Sequence, residues 1–529
     1  MPVHGRRSAP VRARWMEWIA FLTFTVLTTV VAWHHEPWHD ELQAWRLAID
    51  SADMATLARN IRYEGHPFLF YALLHGLGLL SRSWEVVAAA HVAVACLTAL
   101  IVLRFAPFPL LQRVLVVSGY FFFYEYAVIT RAYGLGVLFA MLACVFWRGR
   151  LRVVMVPLML FALANTSVVG LVLAMAMAMA FTIELHLGSG DRWWAHRAFV
   201  RTALISAASI SFVAGSVAWQ VMPPRGAPYR GGNPSIHSSP LAVIGQNLAM
   251  PASVIIPLAA TADDGGTRWG AWGLAPTTRA QVIASDVVAG LIVLAGLYIC
   301  ARRRAALLLW SLAVIGLLTF FTFFHGGGLR HHGYLAIALV AGAWVAYGGE
   351  HEHWRGSSHE WSRRLDPWRS WAFTILLAPM VLASVQLGLA DVREEFADAA
   401  AVSRTVRNES MRASTTVLGV AWPWSQGVAA LLGEPLDMPV EQRRTTWIDA
   451  GRVRRPILSS QATDSIVQDR LLTNCRVLVI TREGLEQSAW LKAHAVVLDD
   501  RPRRMPMSGT RLQLLRVDAT DASRCHGGP

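Results

Sequence analysis

Apolar residues in this chain come in runs too long for the core of a soluble domain, separated by short polar stretches that carry arginine. A spanning helix takes roughly 17–25 residues, fewer where its ends are sheltered by protein. On that ruler the runs 18–33, 86–104, 110–130, 132–147, 151–165, 167–185, 199–219, 284–301, 305–324, 334–348 and 370–390 predict spans. Two further stretches fit poorly: 66–80 is short and holds His66, His75 and two glycines, and 244–259 is broken by two prolines. The pattern predicts an all-α polytopic membrane protein of about 11–13 transmembrane helices. Beyond residue 391 the pattern becomes that of a soluble segment, with strand-like CRVLVI and AVVLDD and a helical DVREEFADAAAVSRTVRN. That predicts a small C-terminal α/β domain outside the membrane.

Composition supports the reading: 54% of residues are hydrophobic and 16% charged, too apolar for an ordinary soluble enzyme. The net charge of +13 comes largely from arginines between apolar runs, which marks topology and headgroup contact. No basic tract is interleaved with aromatics in a polar domain, so nucleic acid is not an expected partner, whereas membrane lipids are. The 22 tryptophans and 21 phenylalanines gather near the ends of apolar runs, as membrane-interface side chains do.

Arg6, Arg7, Arg12 and Arg14 place residues 1–17 in the cytoplasm, with 18–33 as a retained signal anchor. The basic stretches Arg148–Arg152, His186–Arg201, Arg302–Arg304 and His351–Arg369 then share the cytoplasmic side only if 66–80 makes no net crossing, as a re-entrant or interfacial segment would. The membrane module is expected over 18–390, with outer loops at 34–66 and 220–283 and an extracytoplasmic domain at 391–529. Asn165-Thr166 and the turn 325–333 fall on the same outer face. The Pro-, Gly- and Ser-rich 221–240 reads as a mobile segment over it. Cys96, Cys144 and Cys300 read as small core residues, and Cys475 and Cys525 could form one disulfide if the tail faces an oxidising compartment.

The unusual chemistry concentrates in WHHEPWHDELQAWRLAIDSADMATLARNIRYEGHPFLFY, residues 33–71. Its centre is the acidic pair Asp40 and Glu41. The plain reading makes them the solvated first turn of an interfacial helix, where acids complement the helix dipole. In YFFFYEYAVITRAYGLG, Glu125 and Arg131 lie deep in apolar sequence, either as a mutual ion pair pinning a hairpin or with Arg131 holding a phosphate and Tyr133 lining the pocket. The turn FFHGGGLRHHGYLAI brings His325, Arg330, His331 and His332 to the same face. Adjacent histidines lack zinc-site spacing, so no metal site is assigned there or at His34, His35 and His39. The sequence leaves open whether a divalent cation assists.

An acidic pair after the first helix, a loop returning to Gly65-His66-Pro67, and the later Glu-x-x-x-x-x-Arg-x-Tyr tract together resemble the membrane glycosyltransferases of the GT-C superfamily. The layout is most similar to the protein O-mannosyltransferase and lipid A aminoarabinose transferase branch, over about residues 15–390. The resemblance implies a sugar donor carried on polyprenyl phosphate and a glycan, lipid or protein acceptor. It also implies that an acid of the first outer loop activates the acceptor hydroxyl. Carried onto this chain, Asp40 is the general base and Glu41 its neighbour. Arg131, Arg330, Arg62 and His66 are the donor-phosphate residues, and Tyr133, His331, His332 and Glu125 line the pocket. His66-Pro67 stands where relatives show paired prolines, sometimes after a basic residue, which puts the role of His66 in question. Two other readings use the same residues. In a transporter or flippase-like protein for a lipid-linked glycan the charges line a pathway, and a membrane metallohydrolase would use the histidines to bind metal.

Overall fold

The computed structural model describes residues 11–186, 197–222, 243, 245, 247–262, 265–348, 359–410, 415–449, 458–482, 488–498, 507 and 511–520. Arg6 and Arg7, most of the 221–240 loop and Cys525 lie outside them.

In chain order the first helices are α1 (Val11–His34), α2 (His39–Asp50), α3 (Met54–Asn60), α4 (Phe68–Leu80), α5 (Trp84–Phe105), α6 (Leu110–Ser118), α7 (Ala132–Phe146), α8 (Arg152–Ala164), α9 (Val168–His186) and α10 (Arg197–Val221). A short α11 (Met250–Ile255) and a hairpin of β1 (Ala259–Thr261) and β2 (Thr267–Trp272) follow. Then come α12 (Arg279–Cys300), α13 (Arg304–Phe323), α14 (Leu329–His332), α15 (Tyr334–Tyr347) and α16 (His359–Arg393). Among the described residues six helices are long and apolar enough to cross a membrane, and four shorter apolar ones accompany them. The chain is a multi-pass membrane protein.

Packing follows composition. α15 is apolar on every side and almost wholly buried, as a helix hydrophobic all round must be. α1 exposes Trp18, Ile19, Leu22 and Val26 outward, a face suited to lipid. On α7, Gly134 admits close approach: a Cβ there would lie 2.8 Å from the His91 ring and clash with the Tyr126 carbonyl.

The two ends of the bundle differ in chemistry. At one end Glu17 pairs with Arg104 and Arg113, Glu184 with Arg148 and Arg303, and Asp366 with Arg302 and Arg369. The other end carries α2, Arg131, the 324–333 turn and the C-terminal domain. α4 does not join these ends. It packs along α2, with the Phe68 amide donating to Gln220 and Arg82, just past its end, pairing with Asp50 at the end of α2. Both termini of α4 thus lie beside α2.

One expectation needs correction. The predicted span 110–130 is not one helix: α6 stops at Ser118, a π-turn covers Phe121–Glu125, and 126–130 is irregular. Gly119, extended at the end of α6, and the crowded aromatics Tyr120, Phe121 and Tyr124 account for the break. The stretch 244–259, which fitted poorly as a span, carries among its described residues helical positions at 245 and 247–248, the short α11 and the start of β1. The 220–283 loop carries a hairpin that the apolar pattern did not announce.

The C-terminal domain adds α17 (Ala399–Ser410), β3 (Thr415–Gly419), α18 (Ser425–Leu432), β4 (Leu436–Met438), β5 (Arg443–Thr445), α19 (Ser460–Leu471), β6 (Arg476–Arg482), α20 (Ala489–His494), β7 (Ala495–Val497) and β8 (Leu512–Asp518). Its six strands run β5-β4-β3-β6-β8-β7, with β3 parallel to β4 and β6 and the other pairs antiparallel. The apolar strands bury both faces of this sheet: Leu478 and Ile480 on one side, Val477 and Val479 on the other. The first face packs on α2, where Arg46 donates to the Ala430 carbonyl and Gln43 exchanges bonds with the Ile448 backbone. The domain expected from the tail is therefore an α/β unit, and it is seated on the acidic helix.

Candidate active site

The acidic pair opens α2, and the two side chains part at once because adjacent helix residues point about 100° apart. Glu41 turns inward and is buried, accepting from the Trp38 amide at 3.1 Å and the Thr130 amide at 2.5 Å. It also bonds His35 Nε2 at 3.0 Å. Glu41 is a first-turn acid that caps its own helix, but it is buried, where the plain reading had it solvated.

Asp40 turns to the surface, its side chain 25% exposed. Its Oδ2 lies 3.1 Å from Arg330 and 3.7 Å from Arg131, and its Oδ1 3.2 Å from His39 Nε2. Arg131 also donates to the Asp40 backbone carbonyl at 2.6 Å. Burial works against ionisation, but Arg131, His39 and Arg330 together hold the carboxyl well below the usual carboxylate range.

Two arginines from distant turns thus converge on one carboxylate. Arg131 precedes α7, fixed by the bend at 126–130. Arg330 sits in α14, its guanidinium 4.7 Å from the Trp38 ring and 5.7 Å from Trp269 on β2. The glycines of the 326–328 turn let this loop fold tightly, Gly327 being at φ 68°.

His66 completes the group. Arg131 Nη2 lies 3.1 Å from His66 Nε2, and since a guanidinium only donates, Nε2 accepts and Nδ1 carries the proton. That Nδ1–H is buried and has no hydrogen-bond partner among the described residues. Burial and Arg131 lower the His66 pKa to about 3, so the ring is neutral. A buried donor beside two guanidiniums, itself without an acceptor, fits an anionic oxygen.

The remaining predicted residues divide. Tyr133 is buried between His66 and His331, ring centroids 5.8 and 5.5 Å away. His331 accepts from the Gly328 amide and His332 donates to the Gly326 carbonyl, so both brace the glycine turn. Arg62 lies over the Trp219 ring at 5.3 Å and is not among the ion pairs of Asp40. Glu125 does not pair with Arg131 among the described contacts. It is buried, with Tyr120 and Trp269 as donors, and Trp269 donates at 2.9 Å. The ion pair weighed from the sequence gives way because the 126–130 bend turns the two residues apart.

Sequence reasoning passed over Glu64. Gln43 donates to it at 2.9 Å and Tyr71 at 3.3 Å, and burial raises its pKa to about 7. Its place two residues before His66 was the only available signal. Asp391, described below, gave none, and His35 stood out only as one of the first-loop histidines. Among the described residues no group of three or more His, Cys, Asp or Glu is arranged to hold a metal ion.

Fold and site together define a polytopic membrane protein in which Arg131, Arg330, His66 and Asp40 gather beside a C-terminal α/β domain. No family model and no curated protein matches the chain. Among solved structures it is similar to ArnT from Cupriavidus metallidurans in the apo state, at 12% identity, a TM-score of 0.49, and coverage of 94% of this chain and 97% of that one. ArnT bound to undecaprenyl phosphate matches at 12% identity and a TM-score of 0.49, over 95% and 98%. Arabinofuranosyltransferase AftD from Mycobacteria, in a mutant form, matches at 14% identity and a TM-score of 0.34, over 97% of this chain and 42% of that one. At these scores the likeness carries no functional weight.

Proposed function

We propose that this chain is a glycosyltransferase of the GT-C type, moving a sugar from a polyprenyl-phosphate donor to an acceptor hydroxyl on the extracytoplasmic face. The observation that carries it is the convergence of Arg131, Arg330 and the unpartnered His66 Nδ1–H at a carboxylate on the rim of the membrane domain. The donor phosphate takes up the two guanidiniums and the His66 proton, which stabilise the charge left when the anomeric C–O bond breaks.

Asp40 is a weak base while both arginines hold it. Phosphate binding draws those cations away, and Asp40 then accepts the acceptor's hydroxyl proton as the new glycosidic bond forms. An apolar cavity of about 270 Å³ between α8, α9 and α10, lined by Pro157, Leu160, Phe161 and Phe181, suits part of an isoprenoid tail. Gln220 at the end of α10 bonds Asn165 and the Phe68 amide, placing this cavity's outer end beside the His66 loop.

The face is read from charge. The end with Arg104, Arg113, Arg148, Arg303 and Arg369 is the arginine-rich one and faces the cytoplasm, which puts Asp40 and the C-terminal domain outside. Cys475 is disulfide-bonded, as befits an oxidising compartment.

The test is to incubate purified protein with a panel of polyprenyl-phosphate sugars and extracted envelope acceptors and follow free polyprenyl phosphate. Release that requires acceptor supports transfer. Donor binding without turnover in any combination would refute it.

A further inference from the structure

Behind Asp40 and out of reach of any substrate lies a second ionic group. His35, just past α1, bonds Glu41 Oε2 through Nε2 at 3.0 Å and Asp391 Oδ2 through Nδ1 at 2.9 Å. Tyr124 donates to the same Asp391 oxygen at 2.9 Å, and the Phe396 ring stands edge-on to the imidazole at 4.3 Å. All three ionisable side chains are at most 3% exposed. Burial by itself would discharge the ring, but the charges of Asp391 and Glu41 prevail and raise its pKa to about 10. Both ring nitrogens donate, as only an imidazolium can. Tyr124 and Glu125 on the π-turn, His91 on α5 and His39 on α2 are titratable groups that also face this triad.

An ion triad of this kind is costly to bury and is not by itself evidence of stability. Its placement gives it another use. Glu41 is the next residue after Asp40 and accepts from Thr130, the residue before Arg131. It also accepts from Trp38, whose ring carries the Arg330 guanidinium. One carboxylate therefore fixes the backbone just before the base and just before Arg131, and with it the residue whose ring carries Arg330. Asp391 ends the long α16, and a few residues on Glu394 accepts from Thr267 on β2, the strand that bears Trp269 under Arg330.

We propose that His35 is a positioning residue: as an imidazolium clamped between Glu41 and Asp391, it holds Asp40, Arg131 and Arg330 in register with the end of α16. The proposal rests on the reading of Asp40 as a transfer centre. Without the ring, two buried carboxyls face each other with no cation between them. A proton taken up by Glu41 weakens its acceptance from the Thr130 and Trp38 amides, and the tie to α16 is lost.

The experiment compares wild type, His35→Gln and His35→Ala in lipid nanodiscs, with and without added imidazole. Hydrogen exchange of peptides spanning 126–133 and donor turnover are read from pH 5.5 to 8.5. In His35→Ala the Thr130 segment exchanges faster than wild type, most at low pH, and kcat falls by roughly a hundredfold, the scale of a misplaced catalytic group. Imidazole, which refills the cavity as a cation, restores both, and His35→Gln recovers only part. Unchanged exchange in His35→Ala, or lost turnover that imidazole restores without restoring protection, overturns the proposal. If wild type shows no turnover while exchange responds as stated, the clamp stands and the transfer reading falls.

Discussion

Replacing Asp40 by asparagine separates the two tasks assigned to that carboxylate. In the empty site Asp40 neutralises Arg330 at 3.1 Å and Arg131 at 3.7 Å, so a donor phosphate must compete with it. Coulomb's law at an effective dielectric near 20 gives each pair a few kcal/mol. With a side chain 25% exposed, solvent screening leaves a competition of about 1–2 kcal/mol. Asp40→Asn removes that competition and keeps the side chain's size, so polyprenyl phosphate should bind roughly tenfold more tightly. The same change removes the proton acceptor, and kcat should fall by roughly 10²–10⁴. Titration of the nanodisc-embedded protein with polyprenyl phosphate measures the first, and single-turnover release from the sugar donor the second. Tighter binding with lost turnover supports both roles. Near-normal kcat would remove Asp40 as the base, and weaker binding would show that Arg131 and Arg330 do not receive the phosphate.

Three further outcomes test other parts of the structure. Arg131→Ala should weaken polyprenyl-phosphate binding by at least roughly tenfold, and Arg131→Lys should regain only part, because an ammonium cannot hold Asp40, His66 and an anion in one planar fork; equal affinity of Lys and wild type would contradict that geometry. Glu64 holds its proton to about pH 7 in the fold against 4.5 as a free side chain, so the folded state loses stability as pH rises through that interval. Glu64→Gln should therefore gain up to about 3 kcal/mol over wild type between those pH values and keep a constant margin above; thermal unfolding at pH 4.5 and 8 checks it, and an equal margin at both would refute the shift. Gly134→Ala should cost about 1–3 kcal/mol by driving a methyl into the Tyr126 carbonyl and the His91 ring, and an unchanged melting temperature would show that α7 can retreat.

The sequence by itself determined the membrane nature, most of the span positions and the tail domain. Each follows from local quantities: the length of an apolar run, the sign of its flanks, and the return of alternating patterns after residue 391. It also located the chemistry, since Asp40, Arg131, His66 and Arg330 are all unusual where they stand.

What it could not decide was which neighbours in space share a side chain. Asp40 and Glu41 are adjacent letters, yet one faces two cations and the other is buried beneath them, a difference set by helix rotation and by what packs on α2. The span 110–130 looked continuous because its aromatics are apolar, and only crowding around Tyr120 and Tyr124 breaks it. His35 and Asp391 lie 356 positions apart. Their pairing exists because α1 and α16 end at the same depth, a matter of how helices are seated together that no local pattern records.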